Sequence, residues 1–238
     1  MIELSNEIRR QIGILVGRRG SIEMVMVGDQ RGITIPDLSR YRTGIPRLRG
    51  LRLIHTHLQG EALTEEDLTD LALLRMDIMV AISADGKEGQ ESVHSAHLLP
   101  DNPEKRVWEV APPSPLRQLD IDFLKWVQSL EDEFQKGQRA LSTRGPREKA
   151  ILLSVSREKR EVLENSMEEL RDLTESSGVR VAETIIQRPQ NISQSTLIGE
   201  GKLKELLVKC MQLGVDLIIF DQNLTPGQMV SISDRTEL

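Results

Sequence analysis

Apolar residues in the first 110 positions fall mostly into short runs of the length of β-strands. The runs IGILV and IEMVMV flank a Gly-Arg-Arg-Gly turn between residues 12 and 27, which predicts a hairpin. Thr64 to Asp67 has the residues of a helix capping box, and the spacing that follows predicts a helix through about residue 76. Further strands are predicted over residues 33–35, 51–57, 78–83, 93–99 and 107–110.

From residue 120 onwards, the apolar spacing alternates between that of helices and that of strands. Stretches with apolar residues three and four apart are separated by continuous apolar runs. Such an alternation predicts a parallel sheet with right-handed crossovers, flanked by helices. The predicted helices span residues 120–141, 156–176, 201–213 and 225–238, and the predicted strands span residues 149–155, 179–187 and 215–220.

Three prolines within residues 112–115 predict a domain boundary, because proline fixes φ and disfavours both helices and central strands. We therefore expect an α/β protein with two α/β domains joined by a linker helix. The predicted parts are an N-terminal α/β domain over residues 1–111, a Pro-rich linker and helix over 112–147, and a second α/β domain over 148–238.

The predicted linker helix carries most of the aromatic residues of the chain, among them Phe123, Trp126 and Phe134. Large apolar side chains on a connecting helix need a covering surface, which either the second domain or a partner would supply. The sequence ends inside a predicted helix, so the second domain is expected to be truncated. A sheet edge exposed in this way is compatible with a homodimer.

Composition indicates an ordinary globular protein, with 38% hydrophobic and 29% charged residues among 238. No apolar run reaches the roughly 18 residues that a membrane span needs, and the N-terminus lacks the apolar core of a signal peptide. The single cysteine, Cys210, lies in a predicted helix and has no disulfide partner. These features predict a cytoplasmic location and no membrane span.

The net charge of −6 argues against a protein that coats DNA, but the charge is unevenly distributed. The first 60 residues hold ten arginines and five acidic residues, whereas residues 61–118 hold five basic and twelve acidic residues. The densest arginine cluster could bind RNA phosphates bidentately or could pair with the protein's own carboxylates. The predicted RNA-binding residues are Arg40, Arg42, Arg47, Arg49 and Arg52.

Two motifs near the C-terminus resemble the N-terminal domain of the HflX family of translation-associated GTPases. The family runs IGxGKxxEL and ADLxxFDxxLxPxQ correspond to Ile198–Leu206 and Val215–Gln228, and Val179–Arg188 is similar to a family strand that leads to a Gln-Arg pair. The resemblance covers about residues 148–238. It implies a parent protein that binds the large ribosomal subunit and its RNA, hydrolyses GTP with Mg²⁺, and splits or rescues stalled ribosomes.

The sequence contains no phosphate-binding loop of the form G-x-x-x-x-G-K-[ST], which a GTPase needs. We therefore expect this portion to supply binding surface and not to hydrolyse GTP alone. Gly199, Gly201 and Lys202 have the elements of a small anion nest at a helix start, and the resemblance implies that this domain binds nucleotide in some members. The alternative is a tight turn that needs glycine for its backbone angles.

A second pattern resembles the metal-binding core of JAMM/JAB-type isopeptidases. His55 and His57 are two apart on a predicted strand and so share a face, and Asp67 from the next helix completes a set of zinc ligands. The resemblance implies a further glutamate on an earlier strand, for which Glu23 is the candidate. It also implies a zinc-dependent hydrolase as an alternative function of the chain.

The pattern departs from that family at two positions. Six residues separate His57 from Thr64 where the family has seven, and threonine replaces the family's serine. A capping box alone also explains Thr64 and Asp67, without any metal.

Overall fold

The structure is a computed structural model that describes residues 1–38, 41, 47–84, 91–115, 122–142, 148–189, 193 and 196–236, with the backbone alone for residues 84, 138–142 and 234–236. The chain divides into two compact units, Met1–Leu141 (unit 1) and Ser142–Leu238 (unit 2). Each unit has its own β-sheet with helices against it. The predicted α/β class is therefore confirmed.

Unit 1 is a mixed β-sheet with helices packed against it. Its elements are α1 (Ile2–Ile8), β1 (Ile12–Gly17), β2 (Ile22–Val27), β3 (Leu51–His57), α2 (Glu65–Leu73), β4 (Ile78–Ala84), β5 (Glu91–Leu98), β6 (Trp108–Val110), β7 (Ser114–Pro115) and α3 (Phe123–Ser142). The strand order is β2-β1-β3-β4-β5-β6, and β7 pairs with β5. β3 and β4 are parallel, and the other pairs are antiparallel.

One face of this sheet carries the hydrophobic core of unit 1. Leu15, Leu53 and Met79 are neighbours on the adjacent strands β1, β3 and β4, and all three are fully buried. Because side chains alternate between the faces of a strand, His55 and His57 point to the same face as Leu53. Leu71 and Ala72 of α2 pack into this core from above the sheet.

The predicted linker helix, α3, packs into the core of unit 1. Val127 is fully buried in that core, and Phe123, Trp126 and Phe134 lie against it. The first unit itself therefore covers the aromatic side chains of this helix. The observed division at residue 141 differs from the predicted boundary at residue 111, because the prolines at 112–115 precede a helix that belongs to the first core.

A partly buried ion network attaches α3 to the sheet of unit 1. Arg18, in the turn between β1 and β2, donates two hydrogen bonds to Asp77 at 2.6 and 2.9 Å and two to Glu131 of α3 at 2.8 and 3.1 Å. Asp77 is 0% exposed and also accepts a bond from the backbone of Gly50. The bond to Asp77 raises the pKa of Arg18 although burial lowers it, so the guanidinium stays charged.

Unit 2 is a parallel three-stranded sheet flanked by helices, within the residues described. Its elements are β8 (Lys149–Val155), α4 (Arg160–Ser176), β9 (Arg180–Gln187), α5 (Glu200–Leu213), β10 (Leu217–Phe220) and α6 (Pro226–Thr236). β8 is the central strand, with β10 and β9 parallel on either side. The predicted parallel sheet is confirmed, and residues 150–155 are buried because β8 is the central strand of a sheet that helices cover.

Two local features differ from the sequence prediction or extend it. Residues 33–35 form no strand, but Ile33 packs against the core and occupies the space over Gly13, where a Cβ atom would come within 2.6 Å of its Cδ1. Asp221, directly after β10, accepts hydrogen bonds from Ser154 and Ser166 and so ties β10 to β8 and α4. Among the described residues no helix is long and apolar enough to cross a bilayer.

Candidate metal centre and binding surfaces

Two histidines of β3 meet at one end of the core face of unit 1. The Nε2 atoms of His55 and His57 lie 2.9 Å apart, and the two side chains are almost fully buried. The Nδ1 atom of His57 lies 3.1 Å from the carbonyl oxygen of Glu61, to which it can donate. In the neutral ring this leaves the Nε2 atom of His57 with a free lone pair that points at His55.

Asp67 joins the two histidines from the first turn of α2. Its carboxylate oxygens lie 3.3 Å from Nε2 of His55 and 3.6 Å from Nε2 of His57. The same carboxylate accepts a hydrogen bond from the backbone of Thr64 at 2.7 Å, and Thr64 caps the helix in return. The capping box and the metal hypothesis are therefore compatible, because one carboxylate serves both.

The charge state of Asp67 suits a cation. Burial alone would raise the pKa of this carboxyl. Hydrogen bonding and charge interaction with His55, together with the two bonds from Thr64, outweigh burial and lower the pKa to about 2. The group is therefore ionised at neutral pH. A half-buried carboxylate next to two buried imidazoles is stabilised by a proton or a metal ion as counter-charge.

The spacing of the three ligand atoms fits one zinc ion. Bonds of about 2.0–2.1 Å in tetrahedral geometry place the ligand atoms of zinc about 3.3 Å from one another. The two Nε2 atoms lie 2.9 Å apart, one oxygen of Asp67 lies 3.3 Å from His55, and its other oxygen lies 3.6 Å from His57, so each of these separations is near that value. His55, His57 and Asp67 are also the group of potential metal ligands found within the described part of the chain. Three protein ligands leave a fourth position for water, as in catalytic zinc sites.

Glu23, predicted from the resemblance as a further acid of this site, is not brought to it. His55 is paired with Gly13, and Gly13 with Met26, so the position on β2 nearest to His55 is three residues beyond Glu23. The Glu23 carboxylate instead accepts hydrogen bonds from Ser21 at 2.6 Å and Tyr41 at 3.2 Å. A bulge in β2 at this point shifts the register, which the sequence did not reveal.

Three further polar side chains, those of Ser83, Ser92 and His94, lie beside the histidines and were not predicted from the sequence. Ser83 of β4 is the strand partner of His57, and Ser92 of β5 is the partner of Ser83. The Ser83 and Ser92 hydroxyls lie 2.8 Å apart, and Ser92 lies 3.0 Å from Nε2 of His94. Only the strand pairing, which the sequence does not give, places these side chains on the face of the metal ligands.

The predicted arginine cluster is only partly available for RNA. Arg40 and Arg42 lie outside the described residues. Arg49 donates to the backbone carbonyls of Leu38, Tyr41 and Leu74 at 2.6–3.0 Å, which uses its guanidinium within unit 1. Arg52 donates to the Gly17 carbonyl and stacks over the ring of Phe123 at 4.2 Å. Among the three described members of the cluster, Arg47 is the one that is exposed to solvent.

The glycines of the predicted anion nest form an ordinary helix start. Gly199 is the N-cap of α5 with φ −65°, and Gly201 lies within the first helical turn. Nothing lies within 4 Å of a Cβ atom built on either residue, so close packing does not demand glycine here. Lys202 pairs with Glu205 on the same helix.

Lys202 also lines a cavity of about 510 Å³ between the end of β9 and α5. Two further cationic residues line it, Arg188 and Lys209, and Lys209 is paired with Glu183 at 2.5 Å. Apolar side chains such as Ile185 and Leu206 form the rest of the wall. This mixture of cations and apolar surface suits an anion with an apolar body.

Comparison with known proteins finds a family match within unit 2 and several similar proteins. Residues 164–238 match the family described as GTP-binding GTPase N-terminal. Three proteins named GTPase HflX are similar over 82–101 residues, from Flavobacterium psychrophilum (31% identity), Alkalihalophilus pseudofirmus (34%) and Lacrimispora saccharolytica (30%). These matches cover 38%, 35% and 34% of this chain. They span only 24%, 22% and 19% of the relatives, so the similarity concerns less than a quarter of each GTPase.

Proposed function

We propose that the chain is the ribosome-binding, regulatory portion of an HflX-like GTP-binding protein, because residues 164–238 match the GTP-binding GTPase N-terminal family. In this proposal it acts on the large ribosomal subunit in the splitting or rescue of stalled ribosomes. GTP and Mg²⁺ belong to the parent protein, because the sequence here contains no phosphate-binding loop.

The observation that supports this proposal is that the family motif forms the core of a folded unit. Ile198, Leu203 and Leu206 of the motif are almost fully buried. The second part of the motif supplies β10 and the cap of α6, where Thr225 and Gln228 bond to each other's backbone. The family pattern is therefore explained by folding, and the docking contacts must come from exposed residues.

Arg47 is the residue of unit 1 that we propose for contact with ribosomal RNA. Substitution Arg47→Glu is expected to weaken binding to large ribosomal subunits several-fold at low salt and to reduce the salt dependence by about one phosphate contact. The measurement is co-sedimentation over a series of salt concentrations. Arg19→Glu, which changes the charge equally at another exposed arginine, is the matched control. Equal losses in both variants would indicate a general charge effect and would contradict a contact at Arg47.

The second candidate function is a zinc-dependent, JAMM-like hydrolase in unit 1. It is favoured by one observation, the convergence of His55, His57 and Asp67, whose potential ligand atoms lie within 4.8 Å of one another. Bound there, zinc would lower the pKa of a water molecule and polarise a carbonyl. The fold also departs from the resemblance, because Glu23, the residue expected to act as its acid, lies elsewhere.

The third candidate is nucleotide binding in unit 2, and it rests on the cavity that Lys202 lines. If nucleotide binds there, calorimetry with GTP and ATP should give saturable heats, and Lys202→Glu should reduce the affinity at least several-fold. Lys204→Glu, on the same helix but away from the cavity lining, is the control. Absence of saturable heat with either nucleotide would contradict this candidate.

A further inference from the structure

The hydroxyls and imidazole next to the metal ligands form a continuous chain towards the surface. Ser83 is 1% exposed and lies beside His57 on the neighbouring parallel strand, on the same face of the sheet. Its hydroxyl is within 2.8 Å of that of Ser92, which is within 3.0 Å of Nε2 of His94. Ser92 and His94 are both partly exposed, so the chain runs from a buried end to an accessible end.

From this arrangement we propose that Ser83, Ser92 and His94 form a proton path between a ligand held at His55, His57 and Asp67 and the solvent. This inference rests on the proposed metal centre, because a proton path needs a ligand that ionises at that place. His94 is a positioning and proton-accepting residue in this proposal and is not a metal ligand.

The proton transfer balances along the chain. A protic ligand such as water at the cluster gives a proton to the Ser83 oxygen, and Ser83 gives its own proton to Ser92. Ser92 gives its own proton to Nε2 of His94. The products are an anionic ligand at the cluster and an imidazolium at His94, which then releases a proton to solvent.

The site needs such an acceptor because its own groups are already engaged. The nitrogen atoms of His55 and His57 that face each other would bind the metal, and Asp67 accepts bonds from Thr64. Glu23 lies at another part of β2. Burial lowers the pKa of His94, so the resting ring is neutral and its Nε2 atom has a lone pair that can accept the proton of Ser92.

The first test is the protonation of His94, read from ring-nitrogen NMR spectra of the ¹⁵N-labelled chain. The path predicts that Ser92 donates to Nε2, so the neutral ring of His94 should carry its proton on Nδ1. Ser92→Ala should remove this bond and increase the Nε2-protonated form. A wild-type His94 ring that is protonated on Nε2 would overturn the proposal.

The second test uses the zinc-loaded chain and the hydrolysis of 4-nitrophenyl acetate in dilute buffer. Ser92→Ala and His94→Ala should each slow the zinc-dependent reaction at least about tenfold with an unchanged zinc content. Added imidazole, after its direct reaction with the ester is subtracted, should restore the rate of His94→Ala. An unchanged rate in either variant, or a loss in His94→Ala that imidazole does not restore, would overturn the path. Wild-type protein that binds no zinc would instead refute the metal centre. The tautomer of His94 would still test the hydrogen bonds between Ser83, Ser92 and His94, because that measurement does not need zinc.

Discussion

Substitution Arg18→Ala is expected to destabilise unit 1 by about 3–5 kcal/mol, because it leaves a buried carboxylate without its partner. Asp77 is 0% exposed and would keep only the bond from the Gly50 backbone, while Glu131 would lose both of its bonds to the guanidinium. A loss of this size is a large fraction of the stability of a typical domain. The attachment of α3 to the sheet should weaken with it.

Urea unfolding followed by tryptophan fluorescence measures this effect in unit 1 alone, because both tryptophans of the chain, Trp108 and Trp126, lie there. Arg19→Ala, at the exposed neighbouring position of the same turn, should change the stability by no more than about 0.5 kcal/mol. The double variant Arg18→Ala with Asp77→Ala should lose less than the sum of the single variants. Similar unfolding midpoints for Arg18→Ala and Arg19→Ala would show that the network contributes little.

Removal of any one ligand of the candidate centre is expected to lower zinc affinity by more than about 100-fold, since even outer-shell substitutions at metal sites lower it 10–100-fold. His57→Ala removes one imidazole. Asp67→Asn keeps an oxygen that can accept the bond from Thr64 while removing the negative charge. The wild-type chain, purified without a histidine tag, should carry close to one equivalent of zinc by elemental analysis.

Glu23→Gln is the discriminating control for this prediction. The resemblance to the JAMM/JAB pattern makes Glu23 part of the site, whereas the strand register places it away from the histidines. Zinc content in Glu23→Gln should therefore equal that of the wild type. Wild-type protein with less than about a tenth of an equivalent of zinc would refute the metal centre, and zinc loss in Glu23→Gln would refute its geometry.

The sequence was sufficient to predict the features of the fold that depend on residues close together in the chain. Apolar runs located β8 and β9 to within a residue, and the residues of the capping boxes at Thr64 and Thr225 placed the starts of α2 and α6. The two-residue spacing of His55 and His57 also predicted correctly that both side chains share a face. Each of these features depends on residues close in sequence.

The features that the sequence did not yield depend on strand pairing and tertiary packing. The bulge in β2 decides that Glu23 is remote, and the β4–β5 register decides that His94 is near. The role of α3 could not be foreseen, because its apolar stripe fits equally well on either unit until the core of unit 1 is known. Arg49 and Arg52 were predicted to bind RNA, but the sequence does not show that backbone carbonyls engage the guanidinium of Arg49 or that Arg52 stacks on an aromatic ring.

Co-sedimentation of the chain with purified large ribosomal subunits, at low and at physiological salt, tests the proposed function most directly. We expect saturable binding that weakens as the salt concentration rises and that is displaced by the GTPase HflX of Alkalihalophilus pseudofirmus, since the two proteins are 34% identical over 92 residues. Absence of binding at both salt concentrations, or binding that excess GTPase does not displace, would contradict the assignment of this chain as an HflX-like docking portion.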